Sequence, residues 1–492
     1  MHKSLSGSIK QYIGGISMIS LSIIQGILLI PIYFQYLSKE DYGIYITLAA
    51  YATTLTFLDL GVSNFLPISI SNALARKDHD ATAISINGAL TLSILTIASL
   101  ALLHPIIIRS ATHILPYSIL SHENFKTLFT LLIIGTSFTL STGSTGSILL
   151  GIHMPGPHMI NSIVGTVLSM CITLLLLTKG NGILSFGYGY LAANTIPTLL
   201  NTITLLKLRN NKTIQLGLSL NASIKTLKRS IHLAPSIFAN TFLQNFDIII
   251  IGTLADPEFT THYVIIKKAA DIGILLISRA SHSLNTYFSH ISIDRQAAEK
   301  HQIKFIIFTT SLAAFFLSNY ISLNPTFIKV WLNIDVAQSD TKLILAIALL
   351  AFSRILLTTI YNLSISAQNL LLASKATAAL LTLIYPTSYL ITQNFDVPTT
   401  ITCAAIAYNS TTLYLLHKTN ILTPIAKSIK TIPTISIIIV IYIITQSPRT
   451  ILSHLTANPL IILTTSALIS LATASTILYI LIKRNNIFSN NS

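Results

Sequence analysis

The residues best equipped for chemistry stand where a membrane helix should carry none. Residues 263–288 read YVIIKKAADIGILLISRASHSLNTYF. At 100° per residue, Lys268, Asp271, Leu275, Arg279 and His282 fall on one stripe, with successive spacings of three or four. Three potential cations and a carboxylate on one face are costly in hydrocarbon unless that face lines a polar cavity. A second stretch, residues 42–80, holds a carboxylate near the middle of an apolar run: YGIYITLAAYATTLTFLDLGVSNFLPISISNALARKDHD. A lone Asp on an isolated helix costs ~2.5–3.5 kcal/mol on insertion scales, so Asp59 should face protein or water. Gly61 and Pro67 follow within two turns and read as a conformational hinge beside that charge. Asp59, Asp247 and Asp271 all fall inside apolar runs. A carboxylate there can carry a coupling proton or Na⁺, and ion pairing within the bundle is the competing role for each.

Composition says what must position these groups. Charged residues make up 9% of the 492-residue chain, against roughly 25% in soluble domains. Mean hydropathy is +0.70, and apolar runs of about twenty residues recur throughout, each long enough to cross a bilayer. The chain reads as an all-α polytopic membrane protein. Fourteen spans are expected, at 12–34, 43–70, 82–107, 125–150, 158–178, 185–206, 231–254, 263–288, 303–323, 343–366, 372–393, 399–417, 431–446 and 459–482. The short 431–446 run makes twelve plus a terminal pair the other reading, hence 12–14 transmembrane helices. The first run is too long for a signal-peptide core, so a retained helix is expected.

Charge placement gives orientation. With the N-terminus inside, 19 Lys and Arg lie in inner segments and 7 in outer loops, which puts both termini in the cytoplasm. The remaining four, Lys267, Lys268, Arg279 and Arg354, fall within spans. The net charge of +15 is spread over short loops at helix ends, a lipid-facing pattern and not a nucleic-acid footprint. Cys171 and Cys403 lie far apart inside spans and offer no disulfide or redox motif.

The chain also repeats. YLSKEDYGIY, a helix and FLPISISNALARKDHD in the first half answer to TLADPEFTTHY, a helix and SLNTYFSHISIDRQ in the second. An offset of 218 sets Tyr45 on Tyr263 and Pro67 on Asn285, and LAANTIP and IAYNSTT set Asn194 opposite Asn409. Two pseudo-symmetric six-helix lobes around a central cavity follow, 1–206 and 231–418, joined by a basic cytoplasmic linker at 207–230 and extended by a helix pair in 419–492.

The segments LSKEDYGIY, LDLGVSNFLP and ALARKD, with KRSIHLAPSIFANTFLQNFDIIIIGTLADPEFTTHYVIIKKAADIG at the centre, resemble the bacterial O-antigen and polysaccharide flippases. These belong to the multidrug/oligosaccharidyl-lipid/polysaccharide exporter superfamily. The second copy of the turn departs from the first, with Thr261–His262 standing where Gly43–Ile44 precede Tyr45. The resemblance implies a bacterial inner-membrane flippase. It would move an undecaprenyl-pyrophosphate-linked oligosaccharide, an O-antigen or other surface repeat unit, to the outer leaflet by cation-coupled alternating access. A polysaccharide polymerase or chain-length regulator in the same membrane is the implied protein partner.

Against that cargo, Arg279 is the leading pyrophosphate contact, because its planar fork suits paired phosphate oxygens. Lys268 adds a point charge, with Asp271 as its i,i+3 partner. Lys267 either joins them or snorkels to the outer interface. Arg354 either faces the cavity or pairs with Asp247 or another acid. His282 is a polar wall or a proton relay. Asp59 is the first candidate for coupling to H⁺ or Na⁺. His153 and His158 flank MPGP without metal-ligand spacing, no cofactor motif is present, and GSTG at 143–146 reads as small residues for close packing. Two other functions stand beside this one. A cation-coupled multidrug exporter of the same superfamily would want an acidic cavity, and a membrane O-antigen polymerase or ligase would need a large outward loop. The longest outer loop expected here is only about 323–342.

Overall fold

A computed structural model describes residues 20–21, 23–208, 216–291, 295–337, 340–366 and 370–418, with side chains outside the description at 236, 279–291, 295–301, 303–304, 364–366, 370–374 and 385. Regular structure among the described residues is helical throughout. After a short apolar helix, Ile24–Tyr33, the main helices of the first half are α1 (Lys39–Thr54), α2 (Val62–Ala75), α3 (His79–Ile114), α4 (Phe125–Gly151), α5 (Pro155–Thr178), α6 (Leu184–Leu208) and α7 (Leu220–Ser230). Then come α8 (Ala234–Leu254), α9 (Pro257–Ile291), α10 (Arg295–Leu332), α11 (Asp340–Ser366), α12 (Leu370–Asn394) and α13 (Val397–Lys418). Local sequence starts several of them. Ser38 accepts the Asp41 N–H at 3.0 Å ahead of α1, Asp78 accepts that of Ala81 at 2.9 Å ahead of α3, and Ser219 accepts that of Ala222 at 3.2 Å ahead of α7. Each occupies an otherwise orphaned amide of a first turn.

Among the described residues, seven helical stretches are long and apolar enough to cross a membrane, among them His79–Ile114, Phe125–Gly151 and Asp340–Leu363. The chain is a multi-pass membrane protein. The spans expected at 185–206, 263–288, 372–393 and 399–417 are also helices. The spans read at 431–446 and 459–482, and positions 12–19 and 22 of the first, lie outside the described residues. The outer loop expected at 323–342 shrinks, because α10 runs through Pro325 to Leu332 and α11 begins at Asp340.

Packing divides the chain into two compact units, Met1–His262 and Tyr263–Ser492. In the first, α4 is central. Its Ile148 and Leu149 meet Val62, Leu66 and Ile70 of α2, Ile86 and Ala89 of α3 and Leu205 of α6. Buried Ser141, Ser144, Thr145 and Ser147 keep α4 slim, so its neighbours come close. In the second, Ile277 of α9, Ala313 of α10 and Ile355 of α11 share a core, while Tyr320 and Asn324 of α10 each donate to the Ile266 carbonyl at 3.1 Å. Large side chains such as Leu102, Ile106, Leu175 and Leu199 point outward, as lipid-facing residues do.

Within the first unit the starts of α1 and α9 cross in a way the internal repeat explains. Thr261 donates from Oγ1 to the Lys39 carbonyl at 2.6 Å, and Gly43 sits against the Pro257 carbonyl. The offset of 218 carries Lys39 onto position 257 and Gly43 onto 261, so the two contacts exchange roles as two-fold mates do. Gly43 is needed here because a Cβ would run into the Pro257 oxygen. Gly43→Ala should therefore lower stability by about 1–3 kcal/mol through overpacking. Gly156→Ala, where a Cβ would meet nothing within 4 Å, should be near neutral. Thermal unfolding of both variants in detergent checks the contrast.

Candidate functional site

The stretch expected as one hinged helix is two helices with a break between them. Residues Leu55–Asp59 tighten into a 3₁₀ turn, then Leu60 (φ 49°) and Gly61 (φ 84°) both adopt left-handed backbone before α2 begins. Glycine takes that conformation freely, whereas Leu60 costs about 1–2 kcal/mol. Asp59 stabilises the break. Its carboxylate accepts the Ser63 N–H at 3.2 Å (Oδ1) and 3.0 Å (Oδ2) and the Ser63 hydroxyl at 2.7 Å. The charge thus lies at the N-terminus of α2, where free amides and the helix dipole both favour an anion. Pro67 lies inside the continuous α2. Lacking an N–H, it orphans the carbonyl four residues earlier, that of Ser63. Ser147 of α4 donates its hydroxyl to that oxygen at 2.7 Å. A Cβ at Gly143 would lie 2.8 Å from Ser63 Oγ, so the first glycine of GSTG lets α4 reach the break. On its other side Gly61 is walled by Leu233 Cβ at 2.7 Å and the Ser230 carbonyl at 3.1 Å, distances measured from where its Cβ would be.

Helix α9 supplies the second cluster. Lys267 Nζ stands 3.5 Å from Asp271 Oδ1 and 5.8 Å from the centre of the Tyr263 ring. The ion pair thus runs i,i+4 to Lys267, and Lys268, the partner the stripe suggested, also lies in the field of the Asp271 carboxylate. Lys267 is only 4% exposed, which differs from a snorkelling side chain. Lys268 is half-buried beside it. Arg279 and His282 lie about three to four turns beyond Lys268 on the same helix, with side chains outside the described residues. Arg354 of α11 holds its guanidinium over the Tyr408 ring of α13, 5.9 Å from the centroid, in cation–π geometry. Asp247 of α8 is 1% exposed.

A sequence profile described as "Polysaccharide biosynthesis protein" matches residues 12–291, more than half of the chain. The chain belongs to that family. Its fold is similar to that of a lipid II flippase, MurJ, in an inward closed conformation, with a TM-score of 0.68 at 17% identity over 98% of this chain and 99% of that one. It is also similar to multidrug resistance MATE transporters of the MOP superfamily. One is inward-facing (TM-score 0.56, 14% identity, 84% of this chain and 99% of that one) and one outward-facing (0.58, 13%, 85% and 96%). No curated protein matches the chain by sequence. The chain is a multi-pass membrane protein of the polysaccharide biosynthesis family whose fold is like that of these flippases and transporters.

Two features of this family member escape a reading of the sequence. The first is Ser147. Pro67 tells which carbonyl is orphaned, but nothing in the sequence names a donor 84 residues away. The second is a polar network at the start of α5, where Asn201 Nδ2 lies 3.3 Å from His158 Nδ1 and Asn161 donates to Asn201 Oδ1 at 3.0 Å. His158 is thus a wall of a helix interface, and among the described residues no group of three His, Cys, Asp or Glu could hold a metal ion. Removing the Ser147 hydroxyl should cost roughly 0.6–1.5 kcal/mol. In a Pro67→Ala background the restored N–H satisfies the Ser63 carbonyl, so Ser147→Ala should then cost little. A double-mutant cycle by thermal unfolding measures the coupling, and strictly additive costs would remove the assigned role.

Proposed function

We propose that the protein is a flippase for an undecaprenyl-pyrophosphate-linked oligosaccharide, an O-antigen or other surface polysaccharide repeat unit. It would carry this cargo from the cytoplasmic to the outer leaflet of the bacterial inner membrane, with both termini cytoplasmic. The observation that carries the reading is the near-full-length likeness to a lipid II flippase in a chain of the polysaccharide biosynthesis family. The charge on α9 supports it. A pyrophosphate anion cannot cross hydrocarbon unaided, and a carrier needs cations inside the membrane to meet it. In this reading Arg279 takes the phosphate oxygens in its fork, while Lys268 supplies a point charge. Lys267, neutralised by Asp271, holds the turn that presents Lys268. His282 and Arg354 complete the polar lining. The Asp59 carboxylate is the coupling group for H⁺ or Na⁺, because its charge is what holds the Leu60–Gly61 break. A polymerase or chain-length regulator would receive the product.

A cation-coupled multidrug exporter is the competing reading, favoured by the MATE-like fold. An excess of cations on α9 argues against cationic drugs. Arg279→Ala separates the two. In a strain lacking the wild-type gene, the inserted variant should leave lipid-linked repeat units facing the cytoplasm and abolish surface glycan, with Arg279→Lys partly active. Normal surface glycan with verified Arg279→Ala protein contradicts the assignment, and single repeat units on the surface would point to a polymerase instead.

A further inference from the structure

Helix α7 has three faces. At 100° per residue Ala222, Ser223, Thr226 and Ser230 share one, and all four are buried. That face packs on α3: Thr226 Oγ1 donates to the Ile84 carbonyl at 3.4 Å, the Ser219 N–H to Thr91 Oγ1 at 2.9 Å and the Gly217 N–H to Asn87 Oδ1 at 2.7 Å. About 115° round the axis, Leu220, Ile224 and Leu227, continued by Ile231, form an apolar stripe, with Leu220 64% and Ile224 52% exposed. A further 120° round stand Lys225, Lys228 and Arg229, all exposed.

The height of α7 along α3 says what covers these faces. With 36 residues, α3 is about 54 Å long, well beyond a hydrocarbon core of about 30 Å. Contacts with α7 use its polar first part, up to Thr91, and the outward residues turn apolar one turn later at Ile94 and Leu95. The apolar stripe of α7 therefore lies where the outer surface of α3 passes from polar to lipid-facing, and its cations lie on the third side. A helix divided among protein, hydrocarbon and cationic faces fits a membrane interface with anionic headgroups. Its far end is also joined to the break, since Ser230 and Leu233 wall Gly61 and Phe238 packs edge-on against Phe57 at 5.2 Å.

We propose that α7 is an in-plane anchor that docks on the anionic lipid headgroups of the membrane holding the protein, and that its seating bears on the Gly61 break. The occupant is the lipid surface, so the proposal stands apart from the identity of the cargo. The test uses the full chain with Cys171 and Cys403 replaced by Ala, spin-labelled at Ile224→Cys or Arg229→Cys, in phosphatidylcholine vesicles with or without one-quarter phosphatidylglycerol. The label at 224 should be oxygen-accessible and shielded from an aqueous nickel chelate, and the label at 229 the reverse. Co-purified phosphatidylglycerol should fall roughly fivefold per cation removed in the series Lys225→Gln, Lys228→Gln, Arg229→Gln. A label at 224 as chelate-accessible as that at 229 overturns the anchor. Retention of phosphatidylglycerol unchanged in the triple variant overturns the role of the cations, and a label at 224 buried regardless of lipid would indicate a protein partner instead.

Discussion

The first compact unit depends on how one carboxylate meets one serine. Asp59 accepts both the N–H and the hydroxyl of Ser63 at the point where a membrane helix stops and restarts. Without that anion, two left-handed residues and a row of free amides would stand in an apolar setting, where unsatisfied backbone groups cost several kcal/mol each. Ser63 is held from the other direction as well, by the Ser147 hydroxyl on the carbonyl that Pro67 releases. A polar residue that composition alone marks as out of place is here the condition for the backbone around it. The Asp59 carboxylate and the geometry of the break are therefore joined through its hydrogen bonds to Ser63.

The charged helix of the second unit shows the same economy in another form. Lys267 and Asp271 neutralise each other one turn apart, with the Tyr263 ring beneath the ammonium. A mutually satisfied pair can be kept inside a membrane helix. Lys268 stands beside this pair, half-buried and within the field of the same Asp271 carboxylate.

Much of the architecture was legible because it rests on composition and period. Apolar runs gave the helices. The break was half legible. Gly61 marked it, but Leu60 in left-handed backbone has no sequence signal. That Asp271 comes within ion-pair distance of Lys267 while also acting on Lys268 was not legible, because both neighbours are within reach on a helix and only side-chain packing decides. The donor from Ser147 and the His158–Asn201 contact depend on tertiary placement, which spacing along the chain does not carry. The three-faced α7 was visible only as a basic connector until its small polar face was seen against α3.

Hydrogen–deuterium exchange across residues 61–66 tests the central claim most directly. If the Asp59 carboxylate caps α2 and senses protons, exchange there should quicken several-fold on acidification in the wild type, once corrected for intrinsic rates. In Asp59→Asn, which keeps an acceptor oxygen but no titrating charge, the same amides should show no such pH response. Identical pH profiles in the two proteins would contradict the account.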